Sequence, residues 1–267
     1  MEKPPSLLPD QALGGIGGKI RHFSRLIANE IEKGDNGAAG KIFKIAQNKL
    51  GHQEIKVLKD VVDRNILFER EREITTHGII RSFRFWSQEE KKSYLQLAMR
   101  ACKTLEETAG VPSCIGFGSA LAIARSDDLI PHDDDIDLIS AFPKKRFPSI
   151  RDGLDAVEHI FSRDGWRVSG EFAVHRKIRH RELGKKDLDI FVGITEGDHF
   201  SCFPGPRGVI LQAEVFPAQW KELFGVPVLT PRDPDAYLTK VYGESWRIPD
   251  PVFRHSWDKA PYADLLG

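Results

Sequence analysis

The stretch that decides the fold is Pro-His-Asp-Asp-Asp-Ile-Asp-Leu at residues 131–138, where four of five consecutive positions are aspartate. Aspartates repel one another and are depleted in strands, so local propensity does not explain such a run beside an apolar segment. In an extended chain, alternate side chains point to the same side and lie about 7 Å apart. The carboxylates that share one side are Asp133, Asp135 and Asp137, and the apolar side chains on the other side are Ile136 and Leu138. We therefore predict a strand over 135–139 that carries a row of carboxylates in front of a core.

A row of carboxylates anchored from behind by apolar side chains suits a divalent cation that prefers oxygen ligands, and Mg²⁺ or Mn²⁺ is the best candidate. The alternative is a solvated acidic loop. Ile130 before the aspartates and the run Ile-Asp-Leu-Ile at 136–139 favour the end of a strand over such a loop. The sequence therefore predicts a metal site at this row.

A glycine-serine turn precedes the aspartates. Residues 116–121 read Gly-Phe-Gly-Ser-Ala-Leu, between a strand pattern and a helix pattern. Glycine lets the backbone approach a phosphate closely, and the first turn of a helix offers N–H groups to it. Such turns are common, so this one gains its weight from its position shortly before the aspartates.

A second acidic pair follows later in the chain. Asp187 and Asp189 alternate with Leu188 and Ile190, so on a strand the two aspartates share one face. If that strand lies beside residues 135–137, Asp189 completes a site of three or four carboxylates.

The composition excludes several classes of protein. The chain has 267 residues, of which 40% are apolar and 29% charged, as in soluble globular domains. With 39 basic and 39 acidic side chains it has no net charge, and hence no general affinity for nucleic acid. It contains no run of about 18 apolar residues that would predict a membrane span. Its three cysteines are widely spaced, so we interpret them as reduced thiols buried in the core of a cytoplasmic protein.

The chain divides into three predicted segments. Residues 1–40 are rich in glycine and proline and show little apolar periodicity, so we expect a flexible segment that is dispensable for folding. Residues 41–85 carry two helical patterns with lysine-rich outer faces and are expected to form a helical extension. We interpret those faces as solvated, and contact with an anionic lipid or polymer is the alternative. Ser87 and Glu90 form a capping-box pattern at the start of a long helix, so the main domain is expected over 86–267.

Strand and helix patterns alternate within the main domain. They predict an α+β fold with a mixed β-sheet flanked by helices. The predicted strands are 114–117, 135–139, 174–179, 188–192, 209–216 and 226–229. The predicted helices after the capping box are 120–125, 146–163 and 233–242, the last with Asp233 as its cap.

These motifs, in this order, resemble the nucleotidyltransferase superfold, and more narrowly the LicD family, which includes the fukutin-type phosphotransferases. That family combines a Gly-Thr/Ser-Leu-Leu-Gly-hydrophobic-Arg helix with an Ile-Pro-Trp-Asp-Asp-Asp-Ile-Asp stretch. Here residues 118–125 read Gly-Ser-Ala-Leu-Ala-Ile-Ala-Arg, and residues 130–137 read Ile-Pro-His-Asp-Asp-Asp-Ile-Asp. Later family elements follow as Asp-Ile-Phe at 189–191 and Tyr-Gly-Glu-Ser-Trp at 242–246. The resemblance covers about residues 90–250.

The resemblance implies roles for particular residues. The expected catalytic and metal-binding carboxylates are Asp135, Asp137 and Asp189, with Asp133 as an additional metal ligand. The expected contacts to the phosphate of a donor are Gly118, Ser119, Arg125, Lys177 and Arg179. We interpret His132 and His175, the imidazoles nearest to the motifs, as structural or solvated.

The resemblance also implies an activity. It is that of a metal-dependent phosphotransferase, which moves a phosphocholine or alditol-phosphate group from a CDP-activated donor to a hydroxyl of a cell-surface glycan or glycolipid. We expect such an enzyme to be cytoplasmic, with peripheral contact to a membrane. One alternative is a nucleotidyltransferase that acts on a small molecule or a protein. The other is a non-catalytic binding protein on the same fold, against which the complete set of acidic residues argues.

Overall fold

The computed structural model describes Leu8 and residues 13–163, 165–181, 186–253, 255 and 258–266. The chain forms two compact units. The first comprises Met1–Trp86, Pro131–Asp134 and Asp250–Arg254, and the second comprises Ser87–Ile130, Asp135–Pro249 and His255–Gly267. The chain thus leaves the first unit at Trp86, but the second unit is not the continuous stretch predicted over 86–267, because two short later segments belong to the first.

The first unit is built on three helices, α1 (Gly18–Glu32), α2 (Asn36–Gln47) and α3 (His52–Val62). Helix α1 buries a stripe of side chains spaced three or four residues apart, as expected of an amphipathic helix. The stripe consists of Ile20, Phe23, Ile27, Ala28 and Ile31. The prediction that residues 1–40 form a flexible segment is therefore wrong for α1, because these side chains supply part of the core of the first unit. Residues 1–7 and 9–12 of that predicted segment lie outside the described residues.

After α3 the first unit contains a short antiparallel hairpin of β1 (Glu73–Thr75) and β2 (Gly78–Ile80), which the helical prediction for 41–85 does not include. A buried ion cluster joins α3 to β1. Lys59 Nζ donates to Asp63 Oδ2 at 2.5 Å and to Glu73 Oε1 at 3.0 Å. Charges buried to this degree persist only when they are paired. Lys59 pairs with both carboxylates, and Arg84 Nε also donates to Glu73 Oε2 at 3.0 Å.

The second unit alternates helices with strands. Its helices are α4 (Gln88–Ala109), α5 (Phe117–Ser126), α6 (Ile150–Phe161), α7 (Gln212–Val215) and α8 (Pro234–Tyr242). Its strands are β3 (Ser113–Ile115), β4 (Asp137–Pro143), β5 (Trp166–Ser169), β6 (His175–His180), β7 (Leu188–Glu196), β8 (His199–Ser201), β9 (Ile210–Leu211), β10 (Gln219–Leu223) and β11 (Val226–Thr230).

A mixed sheet forms the centre of the second unit. Its strand order is β3-β4-β7-β6-β5, with β8 paired to β7 and β9 paired to β8. Strands β4 and β7 run parallel, and the other neighbours run antiparallel. Strands β10 and β11 form a separate hairpin. The central pair, β4 and β7, is buried along most of its length, as expected of parallel strands. The predicted α+β class with a mixed sheet is confirmed.

Two predicted helix caps are present in the second unit. Ser87 Oγ accepts the N–H of Glu90 at 3.2 Å, and the Glu90 carboxylate accepts the N–H of Ser87 at 2.8 Å. Asp233 accepts the N–H of Ala236 at 3.0 Å and so caps α8. These caps satisfy N–H groups that have no partner within the helix, which explains why both helices begin where the sequence predicts.

Three predicted strands differ from the structure. The strand predicted over 114–117 ends at Ile115, and Phe117 already begins α5. The strand predicted over 135–139 begins only at Asp137, since adjacent aspartates are poor strand formers. The strand predicted over 209–216 is the two-residue β9 followed by α7. Helix α7 forms there because the Glu214 carboxylate accepts the N–H of Leu211 at 2.9 Å and closes a helical turn.

The remaining expectations about composition concern the cysteines and membrane spans. Cys102, Cys114 and Cys202 are buried free thiols, as predicted. Burial raises the pKa of the Cys102 thiol to about 12. Among the described residues, no helix has both the length and the apolar character needed to cross a membrane.

Candidate active site

Three carboxylates meet at the start of the parallel strand pair. Asp135, Asp137 and Asp189 each offer a carboxylate oxygen, and these oxygens lie within 4.8 Å of one another. Asp137 is the first residue of β4, and it pairs in register with Asp189 on β7. The N–H of Asp189 also donates to the carbonyl of Ile136 at 3.2 Å. The parallel pairing therefore brings together the two acidic motifs, which are about fifty residues apart in the sequence.

Apolar neighbours anchor these carboxylates from behind. Ile136, Leu138, Leu188 and Ile190 are fully buried, as the alternation in both motifs predicts. Asp189 itself is buried, with 5% of its surface exposed, whereas Asp135 and Asp137 are half-buried. The carboxylates thus stand at the rim of the core, where they are held in place and can still meet a ligand.

Strand β6 supplies cationic and imidazole side chains to this cluster. Lys177 lies opposite Asp189 in the antiparallel register, and its Nζ donates to both carboxylate oxygens, at 2.8 and 2.9 Å. Burial opposes the charge of this ammonium, but the neighbouring carboxylate of Asp189 outweighs it, so the pKa of Lys177 is raised. His175, two residues earlier on the same face, brings Nε2 to 3.6 Å from Asp189 Oδ2. The predicted phosphate-binding residue Lys177 is therefore part of the cluster.

The predicted phosphate-binding turn lies against the same strand. Gly116 donates its N–H to the carbonyl of Asp137 at 2.9 Å, and Ser119 Oγ donates to the carbonyl of Asp135 at 3.4 Å. A Cβ atom at Gly116 would lie 2.4 Å from Ile139 Cγ2, so only glycine allows this close approach. Gly118 and Ser119 occupy the first turn of α5. The turn and the carboxylates thus share one stretch of backbone.

An unusual backbone conformation marks this turn. Phe117, the first residue of α5, has a φ of 39°, in the left-handed region that non-glycine residues rarely adopt. Its N–H donates to Tyr237 Oη of α8 at 3.2 Å, and its ring packs edge-on against Phe191 at 5.0 Å. Such a strained residue persists only where its surroundings fix it, and here a hydrogen bond and a ring contact do so.

The other predicted site residues have different surroundings. Arg125 Nη2, at the last turn of α5, donates to the carbonyls of Trp246 and Ile248. Burial lowers the pKa of Arg125 below its usual range. Arg179 donates to both carboxylate oxygens of Asp187, at 2.8 and 3.0 Å, on an exposed part of β6. Contacts of Arg125 and Arg179 to phosphate stay predictions, and in the structure both arginines bind groups of the chain itself.

Asp133 does not belong to the group of Asp135, Asp137 and Asp189. It lies in the first unit, where its carbonyl accepts the N–H of Phe83 at 2.7 Å. There Asp134 Oδ1 lies 2.8 Å from His77 Nδ1. The strand that would align Asp133, Asp135 and Asp137 starts only at Asp137, and a metal-binding role of Asp133 stays a prediction.

His175, which the sequence suggested only as a structural or solvated imidazole, lies beside Asp189 in the structure. The signal was its spacing of two from Lys177, which places both side chains on one face of β6. That signal becomes informative only once β6 is known to pair with β7, and a pairing of this kind cannot be read from a single sequence.

The donor set of the cluster fits a hard divalent cation. Three carboxylates supply only oxygen ligands, which Mg²⁺ and Mn²⁺ prefer. Their oxygens, within 4.8 Å of one another, are close enough for one ion to contact all three after small side-chain movements. The residues that would hold the ion are Asp135, Asp137 and Asp189.

Part of this chain, including the candidate site, matches the model of a known protein family. Residues 110–233 match the family model described as LicD/FKTN/FKRP, nucleotidyltransferase domain. This segment, a little under half of the chain, resembles the LicD family domain. The matched segment contains all three clustered carboxylates and the turn before them, so the resemblance found in the motifs is confirmed.

Individual relatives share little more than a quarter of their aligned residues with this chain. Ribitol-5-phosphate transferase FKTN of Macaca fascicularis is 27% identical over 181 residues, which covers 64% of this chain and 36% of that protein. The protein of the same name from Homo sapiens is 26% identical over the same coverage. The chain therefore spans about a third of the length of the curated relatives it matches. Among solved structures, ANT(2")-Ia in complex with adenylyl-2"-tobramycin aligns with 22% identity and a TM-score of 0.38, over 60% of this chain and 80% of that one.

Proposed function

We propose that this chain is a LicD-type, metal-dependent phosphotransferase. It takes a phospho-substituted group, of the phosphocholine or alditol-phosphate type, from a CDP-activated donor and transfers it to a hydroxyl of a glycan. The single observation that carries this proposal is the cluster of Asp135, Asp137 and Asp189 on two adjacent strands within the segment that matches the family.

In this proposal, different residues of the site bind the metal ion and the phosphates of the donor. Asp135, Asp137 and Asp189 would hold Mg²⁺ or Mn²⁺, which when bound neutralises negative charge on phosphoryl oxygens. Gly118 and Ser119 offer first-turn N–H groups of α5 to the diphosphate of the donor. Lys177 adds a positive charge beside Asp189, where the transferred phosphoryl group would lie.

The chemistry is an in-line displacement at phosphorus. The acceptor hydroxyl oxygen forms a bond to the phosphorus that carries the choline or alditol, and the bond from that phosphorus to the bridging oxygen breaks, releasing CMP. The hydroxyl proton is lost to a carboxylate or to water. Because Lys177 donates to both of its oxygens, Asp189 is better suited to orienting the hydroxyl than to holding its proton.

Location and acceptor are part of the same proposal. We place the enzyme in the cytoplasm, in peripheral contact with a membrane that carries a glycolipid acceptor. The exposed face of α2 motivates the contact, because Lys41, Lys44 and Ile45 on this helix are exposed, Ile45 to 49%, and exposed Lys49 follows the helix. Sedimentation with vesicles rich in anionic lipid, compared with neutral vesicles, tests this contact, and equal sedimentation with both would exclude it.

A turnover assay tests the activity. Purified protein is incubated with CDP-choline, a CDP-alditol or a nucleoside triphosphate, each with Mg²⁺ and an oligosaccharide acceptor, and CMP and pyrophosphate are measured. We expect CMP release from a CDP-linked donor that stops in excess EDTA and in Asp135→Asn. The matched control is Asp155→Asn, which removes the same charge from an exposed pair on α6 and should leave turnover unchanged. Release of pyrophosphate from a triphosphate would indicate a nucleotidyltransferase instead, and the absence of turnover with binding intact would indicate a binding protein.

A further inference from the structure

One tyrosine hydroxyl contacts both segments that carry the clustered carboxylates. Tyr94 lies in the second turn of α4 and is buried, with 4% of its surface exposed. Its hydroxyl accepts the N–H of Ile136 at 3.2 Å and donates to the main-chain carbonyl of Asp187. Ile136 stands between Asp135 and Asp137, and Asp187 precedes Asp189 by two residues. The hydroxyl therefore joins the backbones of the two acidic motifs.

We propose that Tyr94 is a positioning residue that sets the spacing of Asp135, Asp137 and Asp189 and thereby the cation that they accept. This inference rests on the proposed function, since it concerns the same metal site. Tyr94 touches main-chain atoms beside the carboxylates and acts through them.

The sheet alone leaves part of the cluster unfixed. The β4–β7 ladder starts at the pair Asp137 and Asp189, so Asp135 precedes the ladder. The carboxylates of Asp135, Asp137 and Asp189, whose oxygens lie within 4.8 Å of one another, repel and so favour separation of the two acidic motifs. The two hydrogen bonds of the Tyr94 hydroxyl oppose that separation at the point where the ladder ends.

Helix α4 is a suitable base for such a contact. Reciprocal hydrogen bonds between Ser87 and Glu90 cap its first turn. Leu95 and Ala98, which follow Tyr94 on the helix, are fully buried. A side chain on a capped, packed helix loses little freedom when its hydroxyl is bound. The position of the hydroxyl, and with it the gap between the two motifs, is therefore fixed by the fold.

Metal binding by Tyr94→Phe tests the proposal without any substrate. The substitution keeps the ring and removes the hydroxyl. The matched control is Tyr262→Phe, which also removes a buried hydroxyl bonded to a main-chain carbonyl, that of Gly205 at 3.0 Å between β8 and β9. Calorimetry measures the Kd for Mg²⁺ and for Ca²⁺ in wild type and both variants. Mg²⁺ demands near-ideal octahedral geometry and Ca²⁺ does not, so a change in spacing should alter their ratio.

We expect Tyr94→Phe to weaken Mg²⁺ binding about tenfold, as loss of a group behind metal ligands commonly does, and to weaken Ca²⁺ binding less. Tyr262→Phe should change neither affinity. Equal weakening of both ions, or an effect no larger than that of the control, would overturn the role of Tyr94 while leaving the proposed function in place. Absence of Mg²⁺ binding in wild type would overturn the proposed function and the inference together.

Hydrogen exchange of wild type supplies a measurement that needs no variant to fold. If the Tyr94 hydroxyl holds the N–H of Ile136, that amide should exchange as slowly as the ladder amides of β4, although it precedes the strand. Exchange of the Ile136 amide at the rate of an open loop would contradict the proposal.

Discussion

Replacing Asp135 by asparagine removes one carboxylate from the cluster and keeps the shape of the side chain. Charges no more than 4.8 Å apart repel by roughly 1–3.5 kcal/mol per pair, for effective dielectric constants between those of water and a protein surface. The positive charge of Lys177 interacts favourably with Asp135 and offsets part of that repulsion. We therefore expect metal-free Asp135→Asn to be as stable as wild type or more stable by up to about 2 kcal/mol. For a protein of this size that corresponds to a melting temperature about 0–8 °C higher.

The response to metal should change in the opposite direction. A ligand present at a hundred times its Kd stabilises the folded state by about 2.7 kcal/mol, so saturating Mg²⁺ should raise the melting temperature of wild type by about 5–10 °C. Asp135→Asn should lose most of that rise, because a neutral amide replaces one of three charged ligands. Thermal melts with EDTA and with Mg²⁺ measure both quantities on the same samples.

A matched variant separates the site from a general effect of charge. Asp155→Asn removes the same charge from an exposed pair with Arg151 on α6, a contact worth a few tenths of a kcal/mol at most. It should melt like wild type and keep the full Mg²⁺ response. If metal-free Asp135→Asn melts many degrees below wild type, Asp135 is a structural partner and our assignment is refuted. An unchanged Mg²⁺ response in that variant would refute it equally.

Three further predictions concern the scaffold. Deletion of residues 1–40 should unfold the first unit, because α1 contributes core side chains each worth roughly 1.5–3 kcal/mol; far-ultraviolet circular dichroism and limited proteolysis measure this, and an unchanged melting temperature would show that α1 is dispensable. Lys59→Met should destabilise the protein by about 3–5 kcal/mol in urea unfolding, since it leaves buried Asp63 without its counter-charge, whereas Glu73 keeps Arg84; a loss below about 1 kcal/mol would mean that water reaches Asp63. Gly116→Ala should cost about 1–3 kcal/mol in the same assay, because its Cβ would clash with Ile139; a variant as stable as wild type would show that the turn can move.

The site was partly predictable because its motifs are local. The alternation of aspartates with Ile136, Leu138, Leu188 and Ile190 specifies which face is buried, and those four residues are fully buried. From the sequence, the strand that carries Asp189 could be placed beside residues 135–137 only as an assumption about strand pairing. The actual register, with Asp137 opposite Asp189, depends on the order of strands in the sheet, which involves contacts far apart in sequence.

The misreading of residues 1–40 has a physical cause. Glycines and prolines make up a quarter of this segment, most of them before residue 19, and they indicate turns. The helical spacing of Ile20, Phe23, Ile27 and Ile31 begins directly after them and was outweighed by that average. Composition describes a whole window, whereas burial depends on the positions of a few side chains.

The cytoplasmic location and the contacts of Gly118 and Ser119 to phosphate stay predictions.

The charge of the cluster suggests why Lys177 is part of it. Three carboxylates close together carry a formal charge of minus three, and the ammonium of Lys177, bonded to both oxygens of Asp189, reduces that charge to minus two. A single divalent cation neutralises the remainder. Without Lys177 the metal-free protein would hold three unbalanced carboxylates at the rim of its core, at a cost that grows as water is excluded. With Lys177 the cluster is less strained by repulsion and keeps enough negative charge to attract a divalent cation. In the proposed function the same side chain then also binds the anionic donor.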